Sequence, residues 1–158
     1  MWEVALRGLT YDGCVLHSVI NHGLCVVMTV ALAWKTPSSG RRHAGWLVCL
    51  LLVSALQVML WWFGAMGVSL VWCALCGYGL TQFRGTRGAA RVGLVVALLL
   101  AVAGLVFYAM TFPAITTVAH ACAVLVGVVI GKVWNGLEGA VSGARTARSR
   151  KHAKDDIG

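Results

Sequence analysis

The stretch VGLVVALLLAVAGLVFYAMT, residues 92–111, runs for 20 residues without a charged side chain. A continuous apolar run of this length is an α-helix of about 30 Å, which matches the hydrocarbon thickness of a bilayer. Sheet is excluded, because barrel strands alternate in polarity and are shorter, whereas backbone groups in lipid must bond within their own segment. Four similar runs lie at roughly 14–34, 45–62, 66–82 and 115–135, so five spans and their loops nearly exhaust the 158 residues. The sequence therefore predicts an all-α polytopic membrane bundle. An outer N-terminal segment covers 1–13, the bundle covers 14–135, and a basic cytosolic tail covers 136–158.

Composition agrees. The chain is 59% hydrophobic and 11% charged, with a mean hydropathy of +0.83, too few charges to clothe a soluble domain. The net charge of +8 does not indicate a nucleic-acid partner, because the basic residues fall between apolar runs and in the tail. With the N-terminus outside, 12 of the 13 Lys and Arg residues face the cytosol, in the 35–44 and 83–91 loops and from Lys132 onward, leaving Arg7 outside. The tail at 141–158 reads as solvated, disordered and drawn to anionic lipid. The opening MWEVALRGL has neither the basic start nor the apolar length of a cleavable signal. High Ala, Gly, Val and Arg usage points to a GC-rich bacterial genome and hence to the plasma (cytoplasmic) membrane.

Ionisable groups inside a membrane are expensive and therefore informative. Apart from Lys132, only His17, His22 and His120 qualify, joined by Asn21, Gln57 and Ser69. His17, Ser69 and His120 all fall about 5–10 Å below the outer surface at a rise of 1.5 Å per residue. His17 and Asn21 are four residues apart and share a helix face; His22 does not. Small residues at four-residue spacing, Ala119, Ala123, Gly127 and Gly131 on one span and Ser69, Cys73 and Gly77 on another, predict close helix contact.

The chemistry these groups support is acyl transfer. A serine hydroxyl becomes a nucleophile when a neighbouring base takes its proton, which makes Ser69 and His120 the candidates. No Asp or Glu lies within a span, so a Ser-His dyad replaces a full triad. His17, Asn21 and the Ser69 amide are placed to donate hydrogen bonds to the developing oxyanion.

At these residues the chain resembles the rhomboid family of intramembrane serine proteases. RGLTYDGCVLHSVINHG at 7–23 resembles that family's H-x-x-x-N helix, with His17 and Asn21 as its H and N. GVSLVWCALCGYG at 67–79 resembles the G-x-S-G helix, and AHACAVLVG at 119–127 resembles A-H-x-x-G-x-x-x-G. The resemblance implies Ser69 as nucleophile, His120 as base, and His17, Asn21 and Gly67 as oxyanion or substrate-binding residues. It also implies single-span transmembrane proteins as clients. It covers residues 7–135, five of the family's six core helices, the first having no counterpart. Leu70 replaces the glycine after the serine, Cys73 an aromatic that often supports the histidine, and Ala123 a glycine.

Other readings stay open: a rhomboid-like pseudoprotease that binds membrane clients without cutting them, or an unrelated small membrane scaffold. His120 bonded to a nearby carbonyl and Ser69 bonded back one turn are the packing alternatives. The six cysteines read as small buried apolar residues, and Cys73-x-x-Cys76 lacks the second outer cysteine pair that a membrane thiol oxidoreductase needs. No cofactor, metal or nucleotide motif is present in the sequence, and assembly with itself or another chain is undecided.

Overall fold

The structure is a computed structural model that describes residues 15–34, 40–61, 68–83, 86–111 and 113–155. The described residues form five helices and no strand. They are α1 (Val15–Trp34), α2 (Gly40–Trp61), α3 (Ser69–Gln82), α4 (Gly88–Thr111) and α5 (Ala114–Asp155). Local chemistry sets the turns. Gly88 opens α4 at φ +62°, a left-handed conformation that suits a residue without Cβ. Pro113 precedes α5 and its carbonyl accepts from Thr116 N–H at 2.9 Å, starting the first turn.

The sequence of α3 explains its place. Its apolar residues go all round the helix rather than along one stripe, so no face needs water and every face can pack. Every residue from Ser69 to Gly79 is buried. The other four helices surround it: each touches α3, α1 also packs on α4, α4 on α5, and α5 on α2. Contacts fix the directions. Asn21 meets Trp72, and Met28 and Leu32 lie near Gly79, so α1 runs parallel to α3. Gly104 meets Trp72 while Leu94 lies near Gly79, so α4 runs antiparallel. Gly45 abuts Tyr78, and Val53 and Gln57 share a cleft with Leu70, so α2 is antiparallel as well.

Three helices are long and apolar enough to cross a membrane: Val15–Ala33, Gly88–Thr111 and Ala114–Ala144. A shorter apolar helix segment spans Gly45–Gln57. Large apolar side chains cover the outside of the bundle, among them Val15, Leu16, Leu51, Leu99, Met110, Ile115 and Leu125. Water cannot solvate so much apolar surface on a monomer, whereas lipid can. This is a membrane protein with an all-α bundle.

Two expectations need correction. The stretch from residue 141, expected to be disordered, instead continues the last helix to Asp155, 42 residues in all. The stretch that follows the apolar run contains no proline and, apart from Gly136, Gly139 and Gly143, is rich in Ala, Arg and Lys, so the helix propagates from the packed segment. The cysteines are not uniformly buried either. Cys49, Cys73 and Cys76 are, Cys25 is half-buried, and Cys122 is exposed; all five are free thiols. Cys14 lies outside the described residues.

Candidate functional site

The α3–α5 contact positions the site. A methyl group on Gly77 would overlap the carbonyl oxygen of Val124, and one on Gly127 the carbonyl oxygen of Ala74. Gly131 approaches the Thr81 side chain as closely. The two backbones therefore touch where the small-residue spacing predicts, as glycine permits in lipid. Ala119 of that ladder instead borders a cleft with Ala123. A polar clamp closes the far end. Gln82 Nε2 donates to Asn135 Oδ1 at 2.8 Å, and Asn135 Nδ2 to the Thr81 carbonyl at 3.4 Å.

These contacts define a register. Paired positions stand 48 (Trp72 to His120), 53 (Ala74 to Gly127), 47 (Gly77 to Val124) and 53 (Gln82 to Asn135) residues apart. Ser69 and His120 are 51 apart, inside that range, so the parallel helices bring them to the same level. Both side chains are buried, at 5% and 3% exposure.

Ser69 is the first residue of α3, and Val68 before it supplies no side-chain cap. Two consequences follow. The helix itself offers no acceptor to the Ser69 and Leu70 amides, which lie at the positive end of its dipole. No turn of α3 precedes Ser69, so back-bonding to a carbonyl of its own helix is not open to it. No hydrogen bond joins Ser69 to His120 among the described residues.

His120 Nδ1 lies 2.6 Å from the Thr116 carbonyl oxygen. A carbonyl only accepts, so Nδ1 carries the hydrogen, and in the neutral ring Nε2 holds the lone pair. This bond is the one expected of a packed histidine. It also orients the ring as the third member of a triad orients a catalytic histidine, with a backbone carbonyl in place of a carboxylate. His22 makes the same kind of bond to Ser18, at 2.7 Å, one turn back on its own helix.

Asn21 is fully buried, and its Oδ1 accepts from Trp72 Nε1 at 3.0 Å. Trp72 stands one turn beyond Ser69 on α3, and its ring centroid lies 6.4 Å from that of His120, with the planes tilted by 46°. His17 is half-buried, one turn before Asn21 on α1. Asn21, Trp72 and His120 thus converge, with Ser69 at their level. Gly67 lies outside the described residues.

Sequence reasoning passed over Trp72 and Thr116. The aromatic partner of His120 was sought at Cys73, four residues after Ser69, whereas the ring is supplied three residues after it. A signal was available: an indole N–H inside a span needs an acceptor, and Asn21 is the amide at that depth.

Beside the site, Leu70 and Ala119 help line a cleft of about 170 Å³ between α2, α3 and α5. Val53, Leu56, Cys122 and Val126 complete an apolar wall into which the buried Gln57 is set. Among the described residues no cluster of three or more His, Cys, Asp or Glu side chains could hold a metal ion.

Comparison of the chain with protein-family models, with curated proteins and with solved structures finds no match.

Proposed function

We propose that the protein is a rhomboid-like intramembrane serine protease of five spans, set in the bacterial plasma membrane with its N-terminus outside and its C-terminus in the cytosol. The observation that carries this reading is the glycine-mediated parallel packing of α3 on α5. In that register Ser69 and His120 share a level, and the Thr116 bond leaves Nε2 as the basic nitrogen. The charge pattern supports the orientation. Arg87, Arg91 and Lys132 belong to the Gln82 end of the bundle, and Ser69 belongs to the other.

In the proposed reaction, His120 Nε2 takes the Ser69 proton as Oγ attacks the carbonyl carbon of a client peptide bond. The imidazolium then delivers that proton to the leaving amine, and water hydrolyses the acyl-enzyme by the same route. The Ser69 and Leu70 amides, at the positive end of α3, stabilise the oxyanion. His17 adds a donor from α1. Clients are single-span helices that unwind near the outer face through Gly or Pro, because an intact helix shields its carbonyls.

A second reading is favoured by particular observations. Leu70 adds bulk beside the serine, and no hydrogen bond joins Ser69 to His120. Both fit a rhomboid-like pseudoprotease that holds membrane helices without cutting them. Hydrogen bonds of a catalytic pair are often loose without substrate, so the first reading stands ahead.

Co-reconstitution in liposomes with a single-span client bearing a Gly-Pro pair near its outer end separates the two. Cleavage by the wild type that is lost in Ser69→Ala and His120→Ala supports the protease. A client that co-purifies uncut with all three supports the second reading.

A further inference from the structure

We propose that Asn21 and Trp72 form a positioning relay for His120, in which Asn21 serves by accepting a hydrogen bond rather than by donating one to the oxyanion. The inference rests on the catalytic reading only for what His120 does, not for how it is held.

The relay starts from the chemistry of an indole. Its N–H is a donor and nothing else, so the Asn21 group facing it must be the oxygen. The 3.0 Å contact therefore fixes which way the Asn21 amide points and turns Nδ2 away from Trp72. It also fixes the indole, which is completely buried. The ring is further boxed in from two helices. A methyl group on Gly104 of α4 would come within 3.2 Å of Trp72 Cη2 and 2.9 Å of Leu24 Cδ1 on α1. Gly104 is thus the space that the indole occupies.

With one edge tied to Asn21 and another against Gly104, the ring presents a fixed surface to His120. The imidazole is then held from two sides, by the Thr116 carbonyl at Nδ1 and by the Trp72 ring. Rotation about its χ2 would break the 2.6 Å bond. Asn21 acts on His120 through Trp72, as a positioning residue. Three of the bundle's helices, α1, α3 and α5, are coupled at this point.

The test uses the full-length protein in micelles with ¹⁵N-labelled histidine, the His120 imidazole signals being assigned by difference with His120→Gln. Trp72→Phe keeps a ring but removes the N–H. Asn21→Leu keeps the volume but removes the acceptor. Gly104→Ala pushes the indole without touching any hydrogen-bonding atom. The relay predicts that all three shift the His120 signals, and that Asn21→Leu/Trp72→Phe shifts them no further than the larger single change. Fluorophosphonate labelling of Ser69 should fall roughly tenfold in each, again without adding in the double variant.

His120 signals unchanged in the folded variants overturn the relay, whatever the labelling does. Additive shifts in the double variant overturn it too, since Asn21 and Trp72 then act separately. Signals that move as predicted in a wild type that never labels uphold the relay and remove the protease reading. Should Trp72→Phe fail to fold, Gly104→Ala decides the matter by the same criterion.

Discussion

Gly127→Ala probes the helix contact on which the site is built. The added methyl carbon would lie 2.7 Å from the Ala74 carbonyl carbon and 2.9 Å from the Tyr78 nitrogen, and would overlap the Ala74 oxygen. Non-bonded carbons settle at about 3.5–4.0 Å, so α3 and α5 must part by roughly 0.8 Å or more. Every obstructing atom is backbone, and none can rotate aside. Overpacking of this kind costs about 1–3 kcal/mol, here toward the upper end. Replacing a helical glycine by alanine returns about 1 kcal/mol of propensity. A net loss of about 2 kcal/mol remains, or roughly 4–8 °C in Tm for a chain of this size.

Displacement of the two helices by this distance should also slow fluorophosphonate labelling of Ser69, by up to roughly 100-fold. The assay is thermal unfolding in dodecyl maltoside with Gly93→Ala and Gly136→Ala as controls, since nothing lies within 4 Å of a methyl group at either position. The controls should melt with the wild type or slightly above it. If Gly127→Ala melts with them, the intimate α3–α5 contact is refuted.

Other consequences follow from the same contacts. Asn21→Leu and Trp72→Phe should each destabilise by about 1–3 kcal/mol, because each breaks their buried hydrogen bond while keeping one of its two polar groups; the double variant should recover part of that loss in the same unfolding assay. Asn135→Ala removes the partly exposed clamp with Gln82 and should cost only about 1 kcal/mol, leaving labelling of Ser69 within about twofold. Maleimide should modify Cys122 in the folded protein but reach Cys73 and Cys76 only after denaturation; equal rates for the three, read by mass spectrometry, would contradict their burial. Ser149→Cys should react with a membrane-impermeant maleimide only in lysed cells, and labelling of intact cells would reverse the proposed orientation.

Much of the architecture was legible because lipid imposes a single strong rule on backbone polar groups. The run at 92–111 and its four companions each overlap one of the five helices, and the small-residue spacings at Gly77, Gly127 and Gly131 mark the closest contact. The end of the last helix was not legible. Hydropathy reports where a segment leaves the apolar layer, whereas continuity with a packed segment and the absence of proline carry α5 on to Asp155. Cys122 was misjudged for a related reason: in a membrane an apolar side chain gains nothing from facing inward, so its polarity says little about burial. The polar residues at one depth were visible as a set, but their pairing was not. Whether Asn21 gives or accepts a hydrogen bond depends on the rotation of α1 about its axis, which places it opposite Trp72, and no spacing in the sequence encodes that.

The most direct measurement is mass-spectrometric mapping of a fluorophosphonate adduct on the protein reconstituted in lipid. A reactive serine activated by His120 predicts one adduct, on Ser69, absent from His120→Ala and from heat-denatured wild type. A folded preparation that takes no adduct, or takes one on Ser69 equally well without His120, would contradict it.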